Sequence, residues 1–311
     1  MVSSSAPGRP AHDDVHPGAF PARRTFERTL VAPYRNQRAA ALPARLSRSW
    51  LLTSAADPSL FPRALASEAD SVVLDIEDAV PAEGKDEARQ NVVDAFNAGA
   101  SAWVRINDIS TPYWEKDLAE LSRCGHLRGI VLAKTEHPDH ITKTAMMAPA
   151  GTPVVALIES AVGIMNAYDI ARAPGVFRLA FGVGDFRRDT GASGDPMALA
   201  FARSTLVVAS RVGELPGPID GPTLGATGDE LAAACGVTHS MGMTGKLCLD
   251  PDQTDGINRN LAPSEQEIRW ARELIEEHDS GHTVGDGSYL PRLARARKVS
   301  ELAQTYGLWN R

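Results

Sequence analysis

From residue 46 onward, short apolar runs recur roughly every 20 to 30 residues, with helical patterns between them. The runs are "SWLLTSA", "SVVLDIED", "AWVRIN", "GIVLAK", "PVVALIES", "RLAFGVGD", "GPIDG" and "GKLCLDP". Most are nearly continuous in Val, Ile and Leu, the signature of parallel strands covered on both faces. The seventh is too weak to be read as a strand on its own.

The segments between the runs carry the helical period. "PSLFPRALASEA" follows Asp57, an N-cap candidate, with Pro58 at the first helical position. "GKDEARQNVVDAFNAG" places Ala88, Val92 and Phe96 on one face and stops at Gly99. "DPMALAFARSTLVVASRVGEL" predicts a long apolar helix between runs six and seven. Eight strands alternating with helices predict an α/β (β/α)₈ TIM barrel over residues 46–262. A doubly wound open sheet is the alternative, weakened because no Gly-rich fingerprint follows the first strand.

Two segments lie outside this rhythm. Residues 263–311 predict a C-terminal helical extension, opened by a capping box at Ser264 and Glu267 with Ile268, Ala271, Leu274 and Ile275 as the apolar stripe. It exceeds what a barrel needs, so it packs on its own barrel or is swapped onto a neighbouring subunit. Residues 1–45 are rich in Ala, Pro, Ser and Arg and lack an apolar signal core, which reads as a flexible or partner-clasping extension.

Composition narrows the partners. A formal net charge of −7 argues against nucleic acid. No apolar run approaches the ~20 residues of a membrane span. Cys124, Cys235 and Cys248 form no C-x-x-C pair, which fits a reducing cytoplasm rather than a disulfide or zinc framework.

The chemistry lies where the runs end. Barrel enzymes carry their active sites at the C-terminal ends of the strands. There this chain has Asp75, Glu77 and Asp78 (run two), Arg105 and Asn107 (three), Lys134 (four), Glu159 (five), Asp185 (six), Asp220 (seven) and Asp250 (eight). Glu159 and Asp185 are one βα unit apart. With no His or Cys beside them they suit a hard cation such as Mg²⁺, water and substrate oxygens completing its shell. The competing reading is structural ion pairing with Lys134 or Arg105. Arg105 can fork onto a carboxylate or a developing oxyanion, or onto Glu77. If the strand continues, Asp75 and Glu77 share its inner face and Asp78 turns away to cap the next helix or line the loop. In "GVGDF", Gly182 and Gly184 would let backbone N–H groups approach a substrate carboxylate. None of the histidines falls into a metal-ligand pattern.

Taken together, "RSWLLTSA", "VVLDIEDAV", the "VRIN" and "ALIES" motifs, "FGVGDFRRDTG", "PIDG", "GKLCLDPDQ" and "SEQEIRWAR" resemble the citrate lyase beta-subunit family, within the HpcH/HpaI aldolase and malyl-CoA lyase superfamily. The resemblance spans about residues 46 to 300. It implies a (β/α)₈ barrel, a homotrimer or hexamer, and Mg²⁺. The implied reaction is cleavage or formation of a 2-hydroxy acyl thioester from a 2-oxo acid and a short acyl thioester such as acyl-CoA. By the same resemblance Glu159 and Asp185 are metal ligands, and Arg105 meets the substrate carboxylate. Asp75 and Glu77 hold metal-bound waters, and Asp286 of "VGDGSY" is the acid lent to a neighbour's site. Lys85 and Arg89, on the helix after run two, are candidate contacts for the CoA phosphates, or else a solvated helix face. A thioester hydrolase in the same site, a thioester-free 2-oxo-acid aldolase and a non-catalytic subunit remain the alternatives.

Overall fold

The computed structural model describes Met1, residues 41–281 and residues 287–310. Of the N-terminal extension only Met1 and residues 41–45 fall within this range, and Asp286 lies outside the described residues.

Eight strands close into one parallel barrel in chain order. They are β1 Ser49–Ser54, β2 Ser71–Asp75, β3 Ala102–Ile106, β4 Leu127–Leu132, β5 Val154–Ile158, β6 Val176–Phe181, β7 Ile219–Asp220 and β8 Gly245–Cys248. The weak seventh run is indeed a strand, of two residues, pairing Ile219 with Ala180 on one side and Gly245 on the other. Closure supplies what its own sequence does not, because both neighbours are already in place.

Side chains alternate across the barrel wall. Trp50, Val73, Trp103, Val155, Leu157, Ala180, Ile219 and Leu247 fill the interior. The residues between them, such as Leu51, Leu74, Val104, Ile130 and Ala156, meet the helices outside. Trp50 and Trp103 pack edge to face with ring centroids 4.9 Å apart. Gly129 makes room for them, since a Cβ there would lie 2.2 Å from the Trp103 ring.

Among the helices, α1 Phe61–Leu65 is shorter than its sequence predicts. A 3₁₀ turn, Pro58–Leu60, precedes it with the Asp57 side chain accepting from Ser59 N–H, and Ser67 Oγ donates to the Ala64 carbonyl at its end. α2 Lys85–Asn97 and α3 Trp114–Leu121 follow β2 and β3. α4 Pro138–Met147 follows β4. α5 Ala161–Met165 and α6 Ala167–Ile170 follow β5. α7 Val183–Thr190 and α8 Ala200–Val212 follow β6, and α9 Gly228–Ser240 follows β7. α10 Thr254–Asn260 completes the barrel layer.

The C-terminal segment forms an antiparallel pair, α11 Glu265–Asp279 and α12 Tyr289–Thr305, joined through Ile268, Ala271, Leu274, Leu293, Ala296 and Ala303. Both halves of the capping box at Ser264 and Glu267 are present. The pair rests on the N-terminal face of its own barrel. Tyr306 donates its hydroxyl to the Leu46 carbonyl at 2.9 Å, and the Arg48 guanidinium lies 3.9 Å over its ring.

Candidate functional site

At the mouth of the barrel the inward register of β2 and β3 delivers a carboxylate and a guanidinium side by side. Val73 and Trp103 point inward, so Asp75 and Arg105, two residues on, do the same. The pair is bidentate: Arg105 donates through Nε to Asp75 Oδ1 at 2.7 Å and through a terminal nitrogen to Oδ2 at 2.6 Å. Its other terminal nitrogen lies 3.4 Å from Glu77 Oε2. Burial opposes the charge on Arg105, but Asp75 and the surrounding carboxylates outweigh it and raise its pKa, so the cation is fixed.

The strand does not continue through "DIED". β2 stops at Asp75, whose Oδ1 accepts the Glu77 N–H at 3.0 Å and turns the chain. Both Asp75 and Glu77 are buried, while the Asp78 side chain is 43% exposed. Asp78 does not cap the next helix. It sits on the rim, 3.5 Å from the Lys134 ammonium and 4.0 Å from Arg105.

Glu159 continues the inward face of β5 after Val155 and Leu157. One carboxylate oxygen accepts the Lys134 N–H at 2.7 Å. Burial pushes its pKa up to about 8, further raised by Glu77 and Asp185 and held back by that N–H and Arg105. Asp185 is not on β6, which ends at Phe181, but in the first turn of α7. Its Oδ2 lies 3.0 Å from Arg188 and 4.0 Å from Lys134, yet is buried without accepting a hydrogen bond. Gly182 explains how the two acids meet. Its N–H is used in the sheet, donating to Ile158 O at 2.9 Å, so it is not free for a substrate. A Cβ there would lie 2.3 Å from Glu159 Oε2. The glycine is required to make room for the carboxylate.

A cleft of about 510 Å³ opens beside this group, lined by Lys134, His140, Glu159, Ser160, Asp185 and Arg188 among others. Lys134 joins the two halves of the site. Its ammonium lies 2.8 Å from Glu77 Oε1, and its backbone adopts φ 46°. Burial works against its charge, but the hydrogen bond to Glu77 and the nearby charges of Glu77, Asp78 and Glu159 together outweigh that, and its pKa is raised.

Other expected positions lie elsewhere. Asp220 alternates with the inward Ile219 and so points out of the barrel, where Arg203 at 2.9 Å, Thr238 at 2.7 Å and Lys246 at 3.6 Å hold it. Asp250 accepts from Asp252 N–H as the cap of a 3₁₀ turn. The mouth is therefore charged on the β2–β6 side only. Lys85 and Arg89 form neither a solvated face nor a free phosphate contact. Lys85 Nζ is buried and donates to the Ile76 and Glu77 carbonyls at 3.0 and 2.7 Å. Arg89 is buried against Asp117 and Asp86 at 2.9 and 2.7 Å. Asp117 also accepts from the Asn107 side chain at 2.7 Å, and Asn107 reaches the Ile76 carbonyl at 3.2 Å. Lys85, Asn107, Asp117 and Arg89 thus brace the turn that carries Glu77. Asp117 gave no signal in sequence because nothing near it in the chain marks its partners.

The donor set fits a hard divalent cation. Among the described residues no cluster of three or more His, Cys, Asp or Glu is placed to hold a metal. Two adjacent carboxylates suffice for Mg²⁺, which keeps several waters and takes substrate oxygens. Two buried carboxylate oxygens, Glu77 Oε2 and Asp185 Oδ2, accept no hydrogen bond, and Glu159 is forced toward neutrality by burial. A cation would satisfy each of these deficits.

A closed parallel barrel of eight strands, with paired acids and a largely enclosed guanidinium at its mouth, defines a (β/α)₈ barrel of the enzyme type. The chain belongs to the HpcH/HpaI aldolase/citrate lyase family, whose model matches residues 48–251, and the model of the HpcH/HpaI aldolase C-terminal domain matches residues 266–307. The chain is 30% identical to the L-malyl-CoA/beta-methylmalyl-CoA lyase of Cereibacter sphaeroides, covering 83% of this chain and 93% of that one. It is 28% identical to the citrate lyase subunit beta of Leuconostoc mesenteroides, covering 83% and 94%. Among solved structures, CitE of Mycobacterium tuberculosis in complex with magnesium, acetoacetate and coenzyme A superposes with a TM-score of 0.70 at 25% identity, covering 84% of this chain and 99% of that one.

Proposed function

We propose that this enzyme is a Mg²⁺-dependent carbon–carbon lyase that cleaves, or in reverse forms, a 2-hydroxy acyl thioester, numbered from its free carboxylate so that the hydroxyl lies β to the thioester carbonyl, giving a 2-oxo acid and a short acyl thioester. The observation that carries the reading is the pairing of Glu159 and Asp185 beside Arg105, with the Glu159 carboxyl raised to about 8 by burial. Glu159 and Asp185 would hold the ion, which when bound supplies Lewis-acid polarisation of the substrate oxygens. Arg105, immobilised by Asp75, directs its remaining donors at the oxygen where negative charge develops as the 2-hydroxyl loses its proton. Breaking the C–C bond leaves the electron pair on the thioester enolate, which must then gain a proton. Asp286 is the proposed donor of that proton, from the same or a neighbouring subunit. The turn bearing Glu77 and Asp78 keeps the Arg105 and Lys134 cations in place.

A homo-oligomer, trimer or hexamer, is supported by apolar residues exposed on adjacent helices. These are Phe201, Val208 and Val212 on α8, with Met165 and Tyr168 at α5 and α6. Coenzyme A is the proposed thioester carrier, by likeness to the relatives named above. A cytoplasmic setting agrees with three free cysteines, and among the described residues no helix is long and apolar enough to cross a membrane.

The test is incubation of the Mg²⁺-loaded protein with a panel of 2-hydroxy acyl-CoA thioesters, assaying 2-oxo acid and free thiol separately. The reading expects a 2-oxo acid, lost in Glu159→Ala. Thiol without 2-oxo acid would instead mean thioester hydrolysis. No turnover of any thioester, with Glu159→Ala indistinguishable from wild type, would end the proposal.

A further inference from the structure

Lys134 is the one described residue that touches both halves of the acidic mouth. Its backbone N–H donates to Glu159 at 2.7 Å. Its ammonium lies 2.8 Å from Glu77, 3.5 Å from Asp78 and 4.0 Å from Asp185. It does this from a left-handed backbone, φ 46°, which a side chain rarely adopts and glycine adopts freely. The conformation aims the N–H at one acid while the side chain returns toward the others. A non-glycine residue in this region is a reason to look for a role of the side chain.

We propose that Lys134 is a resident counter-cation of the mouth, alongside Arg188, which lies nearer to Asp185 at 3.0 Å: the Lys134 ammonium would share the field of Glu77, Asp78 and Asp185 with a divalent cation held there, so that lysine and metal compete. This rests on the metal reading above and adds a setting for it. Without the ammonium the acids would present a larger excess of negative charge to a cation. The ammonium weakens the site and keeps Glu77 and Asp78 compensated beside Arg105. Lys134 is a positioning residue here, acting through the carboxylates.

The consequence runs against what loss of a structural residue would give. Removing a positive charge that lies 4.0 Å from Asp185 would lower the repulsion on a divalent ion held by that carboxylate. Lys134→Gly keeps the N–H to Glu159 and relieves the backbone, so it isolates the ammonium. Mg²⁺ titration calorimetry on the full-length wild type, Lys134→Gly and Lys134→Arg reads the effect directly. The expected result is Mg²⁺ binding about tenfold tighter in Lys134→Gly and close to wild type in Lys134→Arg, with kcat reduced in Lys134→Gly despite the tighter metal. Lys134→Asn, a residue that tolerates the left-handed region, should repeat the glycine result if the glycine variant proves unstable. Unchanged or weaker Mg²⁺ binding in both uncharged variants overturns the competition. If wild type itself takes up no Mg²⁺, the metal reading falls with it, a different outcome from wild-type binding that the variants leave unmoved.

Discussion

The barrel interior holds an arginine at each end, Arg105 and Arg178, and their surroundings differ. At the mouth, Arg105 is clasped by Asp75 and faces Glu77, so carboxylates raise its pKa. At the floor, Arg178 is fully buried and its guanidinium donates to neutral acceptors: Gly217 O at 2.7 Å, Ser47 O at 2.9 Å and Thr244 Oγ1 at 2.9 Å. Burial pushes Arg178 down to about 9, with Tyr306 and Asp70 pulling back, which leaves it a cation at neutral pH. Gly245 lacks a side chain where a Cβ would come within 2.8 Å of it. The floor arginine is held by two backbone carbonyls and a threonine hydroxyl, and it is enclosed away from any ligand. The mouth arginine is anchored on one side and open to a cleft on the other. Burial of a charge alone therefore does not mark a functional site in this fold. A charge with excess acid and an opening beside it does.

The sharpest way to break this comparison is Arg105→Met. It should leave Asp75 as a buried carboxylate without its partner and destabilise the protein by about 3–5 kcal/mol. Turnover should fall by about 10²–10³-fold or more, since a preorganised donor to the developing oxyanion is gone. Chemical denaturation and steady-state kinetics on the folded fraction separate the two effects. An Arg105→Met enzyme with wild-type kcat would place the mouth arginine in the same structural class as Arg178.

Glu159→Gln comes next. The amide resembles the protonated carboxyl that burial favours and still offers an oxygen to the Lys134 N–H. Stability should change by less than about 1 kcal/mol. The rise in melting temperature on adding Mg²⁺ that linkage predicts for wild type should vanish. A persistent Mg²⁺-induced shift would show that the ion sits elsewhere.

How much of this was legible beforehand follows from the same contrast. Continuous apolar runs reported the strands, because a parallel strand covered on both faces must be apolar throughout. Position at the strand ends carried Asp75, Arg105 and Glu159 to the mouth without any knowledge of contacts. The same criterion misled at Asp220, which points out of the barrel, since a two-residue strand gives no phase until its partners fix it. Alternation failed beyond Asp75, where a side chain accepting from Glu77 N–H ends the strand. Lys85 and Arg89 read as phosphate contacts or a solvated helix face because their polar partners, Asp117 and the Ile76 and Glu77 carbonyls, come from other elements. The glycine at 182 was expected to free an N–H, whereas space for Glu159 is what it supplies. Arg178 was not singled out at all, as its acceptors are two backbone carbonyls and the hydroxyl of a distant threonine, which no side-chain pattern announces.

Gly182→Ala sharpens the comparison from the steric side. The added methyl would fall within 2.5 Å of the Glu159 Cβ as well as its carboxylate, so the acid must shift. Destabilisation of about 1–3 kcal/mol is expected for such overpacking. Mg²⁺ affinity by calorimetry should weaken, in the opposite direction to Lys134→Gly. Wild-type affinity in Gly182→Ala would show that the position of Glu159 does not govern the ion.

The smallest effect on chemistry is expected at the floor. Arg178→Met removes a buried cation, which is itself favourable, and takes donors away from three acceptors. Two of those keep a partner: Gly217 O still receives the Thr244 hydroxyl, and Ser47 O still receives Trp50 Nε1 at 3.1 Å. The net loss should thus be modest, about 1–2 kcal/mol, against the larger loss at Arg105. Activity per folded molecule and Mg²⁺ affinity should match wild type. A denaturation curve together with the kinetics of Arg178→Met decides the matter. If turnover falls with the fold intact, the floor is coupled to the mouth through the stacked Trp50 and Trp103, and the division drawn between the two ends fails.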